Sequence, residues 1–321
     1  MNAMGIRDKN LELIKHWLTK RVQRVKVNNS LSDWEDVISG IPQGSVLGPL
    51  AFLLFIWDLK LNDNDLSDKE VISKILKYVD DTKLISRVTN IDDIEIIQSR
   101  LNKIYQWEQD NNMLWNAKKF NQLRIGSHEI IENTYMFTPN YEDPIPEVNS
   151  VKDLGIYIDN DMSFKSHIDQ VISKTNNKCS WLLRTFYTRE ISIMRMLYKT
   201  LAQPHIDYGA LLWYPTGNVG QMGAIEGPLR AFTPRMKGCN NMNYWQRLKH
   251  TGMNSCERRI ERFKLLYMWK VIQGHVPSLG FSIQNDTRRG RMIITDKPTG
   301  KVRSIRTLKE KSLQIEGPRI F

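Results

Sequence analysis

Two adjacent aspartates, Asp80 and Asp81, lie between two β-prone segments, residues 71–79 and 82–88. Apolar residues on both sides of an acidic pair predict a β-hairpin with the carboxylates at its turn. Two carboxylates held this close repel each other unless a cation neutralises them, and a metal ion would do so. The pair is therefore a candidate metal site.

The chain contains the same dipeptide a second time, at Asp92 and Asp93. There it opens a predicted helix over residues 91–111, where acidic side chains cap the helix N-terminus without any metal. Adjacent aspartates alone therefore do not define a metal site. For Asp80 and Asp81, an acidic turn without a ligand is the alternative.

A loop rich in helix-breaking residues precedes the hairpin. Residues 39–44 contain two glycines and a proline, and the apolar residues 46–61 that follow are long enough for a buried helix with Pro49 near its first turn. Gly44 would permit close backbone approach to a ligand, and the amide of Gln43 can form hydrogen bonds with one. A loop that only closes onto a helix is the alternative.

These segments resemble motifs of one family. Residues 40–50, GIPQGSVLGPL, resemble almost letter for letter the polymerase B motif of reverse transcriptases from non-LTR (LINE, jockey-like) retrotransposons. Residues 78–81, YVDD, follow at the expected distance and look like the C motif, which forms the catalytic hairpin. Asn116 and Lys119 look like part of the D motif. The order and spacing of the motifs agree with the family.

The resemblance extends over nearly the whole chain. Residues 153–159, DLGIYID, look like the strand that supports the primer end. Residues 204–209, PHIDYG, and 257–262, ERRIER, are similar to segments of the thumb and C-terminal region of these proteins.

The resemblance implies an RNA-directed DNA polymerase that uses two Mg²⁺ ions for nucleotidyl transfer. Asp80 would be the principal metal ligand and Asp81 the supporting one. The implied partners are an RNA template, a DNA primer, a deoxynucleoside triphosphate and other parts of the retrotransposon protein. The residues expected to border the nucleotide and template are Pro42, Gln43, Gly44, Tyr78 and Lys119.

Two points in this assignment have alternatives. Lys119 would lie near the leaving pyrophosphate, but with Lys118 beside it an ordinary solvated pair is equally plausible. Five tryptophans could stack on bases, but aromatic residues at helical spacing usually belong to a core, so none is assigned to a site. These are Trp107, Trp115, Trp181, Trp213 and Trp245.

In the family a third metal-binding aspartate belongs to an A motif, upstream of the segment equivalent to residues 5–21. No counterpart is recognisable here, so we expect a fragment that lacks the N-terminal part and is inactive alone. The second hypothesis is a non-catalytic retrotransposon remnant that at most binds nucleic acid through its basic C-terminal quarter.

The positive charge is concentrated near the C-terminus. The formal net charge is +11, and residues 230–321 contain 20 Lys and Arg against 6 Asp and Glu, a net of +14. Such a concentration fits a partner with a phosphate backbone, because each neutralised phosphate releases bound counterions. A solvated basic tail is the alternative.

The remaining composition argues against a secreted or membrane protein. Cys179, Cys239 and Cys256 are far apart and lack metal-ligand spacing, which predicts three buried thiols. The longest apolar stretch, residues 46–57, is shorter than the ~20 residues of a membrane helix. We therefore expect no membrane contact and an intracellular location, nuclear or cytoplasmic.

The predicted fold class is α+β, with a partial polymerase palm of antiparallel sheet and helices followed by a mainly helical thumb and C-terminal region. Short strands are predicted at residues 123–126 and 154–158, and a helix at residues 192–202, ending before Pro204. The predicted domains are a partial palm with the B, C and D motifs (1–135), a connector with the primer-supporting strand (136–162), a helical region (163–275) and a basic tail (276–321).

Overall fold

The computed structural model describes residues 5–60, 73–126, 134–137 and 144–276, together with the backbone of two strands at 283–286 and 291–294. The chain divides into two compact units. The first contains Met1–Phe120 and His128–Pro146, and the second contains Asn121–Ser127 and Glu147–Phe321. No helix in the described ranges is long and apolar enough to cross a membrane.

The first unit combines three helices with small antiparallel ladders, in which β1 pairs with β4, β2 with β3 and β5 with β6. Its elements in chain order are α1 (Asp8–Leu18), β1 (Arg21–Gln23), β2 (Lys26–Val27), β3 (Ser30–Leu31), β4 (Glu35–Val37), α2 (Leu47–Phe55), a 3₁₀ turn (Ile56–Asp58), β5 (Ser73–Tyr78), β6 (Asp81–Ser86), α3 (Ile91–Asn111) and a second 3₁₀ turn (Ala117–Lys119).

Helix α3 begins with a capping box, as the second acidic pair predicted. The Asn90 side chain accepts a hydrogen bond from the Asp93 backbone at 2.9 Å, and the Asp93 carboxylate accepts one from the Asn90 backbone at 3.1 Å. The same carboxylate accepts hydrogen bonds from the hydroxyl and backbone N–H of Thr89. These bonds, the Thr89 hydroxyl first, hold the pKa of Asp93 below its usual range.

The second unit is mainly helical and has two hairpins, β7 with β8 and β9 with β10. Its elements are β7 (Ser150–Asp153), β8 (Ile156–Asp159), α4 (Lys165–Thr185), α5 (Ile191–Leu197), a π-helical turn (Tyr198–Ala202), α6 (Gln203–Asp207), α7 (Ala210–Trp213), α8 (Val219–Phe232), a 3₁₀ turn (Thr233–Arg235), α9 (Tyr244–Thr251), α10 (Cys256–Ile272), β9 (Ile283–Asp286) and β10 (Arg291–Ile294).

One face of α4 contributes side chains to both hydrophobic clusters in the core of this unit. Ile168, Val171, Thr175, Cys179 and Leu182 recur at three- and four-residue intervals and are buried, as the helical period predicted. The N-terminal end of this face packs with side chains of α6, α7, α8 and α10, and the C-terminal end packs with side chains of α5, the π-helical turn, α8 and α9. All three cysteines are buried and free, which confirms the prediction of buried thiols.

One predicted strand is absent, and two other predicted elements are present with different bounds. Residues 123–126 form no strand, and only an isolated bridge joins Gln122 to Glu147. Leu154 and Gly155, predicted within a strand, form the turn between β7 and β8 with φ of 44° and 87°. The helix predicted to stop before Pro204 continues through the π-helical turn into α6, where Pro204 occupies a first-turn position that needs no N–H donor.

Helix α8 was not predicted, because three glycines and an internal proline, Pro228, disguise its pattern. Tertiary contacts stabilise this helix in spite of its low intrinsic helix propensity. Its buried residues include Glu226, whose carboxylate accepts hydrogen bonds from the Tyr244 hydroxyl and, at 2.8 Å, from the backbone of Cys256. This bond satisfies an orphan N–H in the first turn of α10.

A buried ion pair joins α6 to α10. Nε and Nη2 of Arg259 donate to the same carboxylate oxygen of Asp207 at 3.2 and 3.1 Å, and Nη1 donates to the Asn254 carbonyl at 3.1 Å. The other Asp207 oxygen accepts from Gln203 at 2.7 Å. The guanidinium nitrogens of Arg259 and both carboxylate oxygens of Asp207 are therefore hydrogen-bonded, which is the condition for a buried pair to be tolerated.

We expect Arg259→Leu to lower the free energy of unfolding by about 3 kcal/mol, because it leaves the Asp207 carboxylate without its buried cation. Urea unfolding followed by circular dichroism measures the change. The control is Lys237→Leu, which removes the exposed ion pair with Glu190 and should have little effect. Equal effects of the two substitutions would contradict the role given to the buried pair.

Candidate functional site

The predicted hairpin is present, with Asp80 in its turn. Strand β5 pairs with β6 up to Tyr78 opposite Asp81, so the connection is a two-residue turn of Val79 and Asp80. Val79 has φ +55°, the left-handed conformation that such tight hairpin turns require and that a β-branched side chain adopts with strain. Tyr78, Asp80 and Asp81 are exposed.

Lys77 anchors this hairpin to the end of α2. Its ammonium donates to the carbonyls of Ile56 at 2.6 Å and Leu59 at 3.0 Å, in and just after the 3₁₀ turn that follows the helix. Burial first, and then repulsion by Lys60, lowers the pKa of Lys77, while Asp58 opposes the shift. A lysine next to the acidic turn thus binds two carbonyls at the end of a helix, one of which, that of Ile56, also accepts from the Leu59 backbone.

The same end of α2 is held by α3. Trp107 donates from its indole nitrogen to Asp58 at 3.1 Å, and its ring meets Phe55 edge to face with centroids 5.8 Å apart. Trp107 also lies 6.3 Å from Trp115, measured between ring centroids. These two tryptophans belong to the packing of the unit, as the usual role of aromatic residues on helices suggests.

The loop with the B motif ends in a local cap on α2. Ser45 donates from its hydroxyl to the Pro42 carbonyl at 2.8 Å and accepts from the Gly48 backbone at 3.0 Å. A Cβ at Gly48 would lie 2.7 Å from that hydroxyl oxygen, so the first helical turn requires a glycine there. Gly44 has φ +77° and open space beside it, while Gln43 is exposed.

The structure brings together some of the predicted site residues and not others. Lys77 links the C motif to the far end of the helix that the B motif begins. In the described part of the chain, no side-chain hydrogen bond joins Gln43 or the rest of its loop to Asp80 or Asp81. Lys119, in the 3₁₀ turn after α3, is exposed, and its backbone donates to Asn116 at 2.9 Å.

The carboxylates of the acidic turn are the right kind of ligand for a hard divalent cation, but they are too few. Asp80 and Asp81 supply carboxylate oxygens that are open to solvent, as Mg²⁺ requires. Within the described ranges, however, no group of three or more His, Cys, Asp or Glu residues lies close enough to hold a metal ion. Two aspartates are fewer ligands than a pair of divalent ions needs.

Sequence reasoning missed Lys77. The signal that identifies it is the period of two along β5, which places Lys77 on the same, less exposed face as Ser73 and Ile75. Charged residues are seldom placed on the buried face of a strand without a partner. A lysine at this position therefore predicts acceptors packed beneath the hairpin.

Comparison with known proteins identifies relatives among transposon polymerases. The chain is 28% identical over 214 residues to a probable RNA-directed DNA polymerase from transposon X-element of Drosophila melanogaster, covering 63% of this chain and 22% of that protein. It is 25% identical over 207 residues to the RNA-directed DNA polymerase from mobile element jockey of the same species, covering 61% of this chain and 22% of that protein.

A further relative is an uncharacterized protein of Caenorhabditis elegans, 31% identical over 114 residues, or 35% of this chain and 57% of that protein. No protein-family model and no solved structure matches the chain. The chain resembles the RNA-directed DNA polymerases of non-LTR retrotransposons, as its motifs predicted. It spans about a fifth of the length of the Drosophila polymerases that it matches, 22% in each case.

We expect Lys77→Met to destabilise the first unit by about 1–2 kcal/mol, because two helix-end carbonyls lose a charged donor. Amide hydrogen exchange around residues 56–59 should also become faster. The matched control is Lys74→Met, which changes an exposed lysine on the same strand. Indistinguishable exchange in the two variants would show that Lys77 does not anchor the hairpin.

Proposed function

We propose that the first unit is part of the palm of an RNA-directed DNA polymerase, with Asp80 and Asp81 as carboxylate ligands of its catalytic metal. The observation that carries the proposal is the exposed acidic turn between paired strands, following a B-motif loop and helix at the spacing of the family. The mainly helical second unit would be the thumb and C-terminal region.

The proposed substrates follow from the same resemblance: an RNA template, a DNA primer and a deoxynucleoside triphosphate. Mg²⁺ held by Asp80 and Asp81 would supply charge neutralisation at the triphosphate and activation of the primer hydroxyl. Pro42, Gln43 and Gly44 would border the nucleotide and template. The open space beside Gly44 and the exposure of Gln43 support this part of the proposal.

Tyr78 and Lys119 would contribute from the two sides of the acidic turn. The exposed ring of Tyr78 ends β5 one residue before the turn, where it offers a flat surface to a nucleotide or template base. Lys119 would stabilise the leaving pyrophosphate as a cation. Its exposed place in a short 3₁₀ turn leaves it accessible to such a ligand.

The second candidate function is nucleic-acid binding without catalysis. It is favoured by the absence, in the described ranges, of any third metal-binding group near the two aspartates. Both candidates share an origin in the same family, and they differ in whether a further carboxylate can complete the site. An experiment that supplies this carboxylate separates them.

We expect the 321-residue protein alone to leave a DNA primer on an RNA template unextended in Mg²⁺, because two divalent ions need more carboxylates than Asp80 and Asp81 provide. A fusion that places the A-motif part of the jockey polymerase ahead of this chain should extend the primer. Asp80→Ala in the fusion should abolish extension, and Asp92→Ala, in the helix-capping pair, should not.

Extension by the unfused chain that is lost on Asp80→Ala would refute the claim of inactivity alone. An active fusion that tolerates Asp80→Ala would refute the assignment of Asp80 as a metal ligand. A fusion that folds, binds the primer and template and still cannot extend would favour the non-catalytic alternative.

A further inference from the structure

Much of the basic C-terminal quarter belongs to the folded second unit. Residues 230–276 contain ten Lys and Arg against two Asp and Glu, a net charge of +8. They include the end of α8 and all of α9 and α10, whose apolar side chains are part of the core. The positive charge of this part is therefore held on a defined surface, where its geometry can be compared with possible ligands.

A groove on this unit is lined by three arginines and no acidic side chain. It has a volume of about 550 Å³ and lies where the C-terminal end of α4, the connection 186–190 and the 3₁₀ turn Thr233–Arg235 meet. We call it the arginine groove. Its lining residues are Asn177, Ser180, Leu183, Arg184, Arg189 and Arg235.

Arg189 is fixed in place by the end of α4. Its guanidinium donates to the carbonyls of Leu183 at 2.9 Å, Thr188 at 2.9 Å and also Phe186. Its own carbonyl accepts from the backbone of Lys237 at 2.8 Å, which ties the connection to the segment after Arg235. The cation thus caps the C-terminal carbonyls of α4 and leaves its charge at the groove.

Arg184 and Arg235 supply charge that the folded unit does not neutralise. Both are exposed, and within the described ranges neither donates to a carboxylate or carbonyl. The acidic residue of the connection, Glu190, is already paired with Lys237 at 2.6 Å. An exposed, uncompensated arginine pair over a third fixed arginine is suited to phosphate oxygens, which guanidinium groups bind with paired hydrogen bonds.

Two exposed aromatic side chains lie next to these arginines in the chain. Trp181 is one helical turn before Arg184 and is 42% exposed, with the ammonium of Lys178 4.9 Å from its ring centroid. Tyr187, in the connection, is 96% exposed. The Trp181 ring meets Phe186 edge to face with centroids 6.1 Å apart, but its remaining exposed surface and the ring of Tyr187 are available to stack on a base.

The positive field continues along α4 toward its N-terminus. Burial first, and then repulsion by Lys178 and Lys174, lowers the pKa of His205 on α6. Lys174, Lys178 and Arg184 thus add positive charge along about three turns of the helix.

We infer that the arginine groove binds the phosphate backbone of single-stranded nucleic acid, with Trp181 and Tyr187 stacking on its bases. Exposed aromatic faces beside cations favour unpaired bases, since bases in a duplex already stack on each other. The inference rests on the proposed function, which makes nucleic acid the expected ligand. Its test needs neither metal nor polymerase activity, so the two can fail separately.

The test measures binding of a labelled single-stranded RNA of about 12 nucleotides by fluorescence anisotropy. It uses the whole protein in EDTA at several salt concentrations between about 0.05 and 0.2 M. Arg184→Ala with Arg235→Ala should weaken binding about 10-fold and reduce the salt slope by about 1.4, the value for two lost phosphate contacts on a single strand. The matched control is Arg258→Ala with Arg262→Ala, two exposed arginines on α10.

Trp181→Ala and Tyr187→Ala should each weaken binding roughly 5- to 100-fold without changing the salt slope, because stacking releases no counterions. Circular dichroism confirms that each variant is folded. A separate variant replaces Lys301, Arg303 and Arg306 by alanine, to test whether the last part of the basic quarter binds the RNA. Inorganic phosphate added at constant ionic strength tests whether the groove takes only a free anion.

Weakening by the groove variants alone, with the control retaining affinity, supports the inference. Equal losses in the groove and control variants would overturn it, because binding would then follow net charge. Loss only in the Lys301, Arg303 and Arg306 variant would overturn it as well. If millimolar phosphate displaces the RNA and Trp181→Ala has no effect, the groove binds only a free anion, and the inference is overturned.

Discussion

The second unit depends on a buried charge that must be neutralised. Arg259 on α10 and Asp207 on α6 are largely withdrawn from water, and the pair is tolerable because the charged atoms of both side chains are hydrogen-bonded. This requirement fixes the position of α10 against α6. The next residues of the chain extend the constraint: the Tyr208 hydroxyl donates to the Leu154 carbonyl at 2.7 Å, and a Cβ at Gly209 would lie 2.5 Å from Ile156. One short segment thus holds both α10 and the β7–β8 turn.

The first unit meets the same kind of constraint with a single side chain. Lys77 donates to two carbonyls at the end of α2 from the strand that leads to the acidic turn, and a charged donor is favourable at a helix C-terminus. The hairpin is therefore oriented by the helix that the B-motif loop begins. The helix and the lysine thus link the position of the loop at residues 40–44 to that of the acidic turn.

The local sequence pattern was sufficient to predict those helices and turns that are determined by their own residues. The acidic turn follows from apolar segments on either side of Asp80, and α3 follows from its period and its cap at Asn90. Elements that depend on distant contacts could not be predicted. Helix α8 is rich in glycine and contains Pro228, and it is held by bonds such as that from Glu226 to α10. The arginine groove could not be predicted for a similar reason, because four α-helices, α5 to α8, separate Arg184 from Arg235 in the chain.

The motif-like segments of the second unit differ in kind from those of the first. In residues 204–209 and 257–262 the side chains with clear roles, Asp207, Tyr208 and Arg259, all bind other parts of the same unit. These side chains therefore maintain the fold of the unit. A side chain that binds a ligand must instead be accessible from solvent. Arg184 and Tyr187 are exposed beside a cation fixed by backbone carbonyls, and Trp181 is partly exposed there. In this unit, then, the chemistry of binding belongs to residues outside the motifs, on a surface that the motif residues keep in shape.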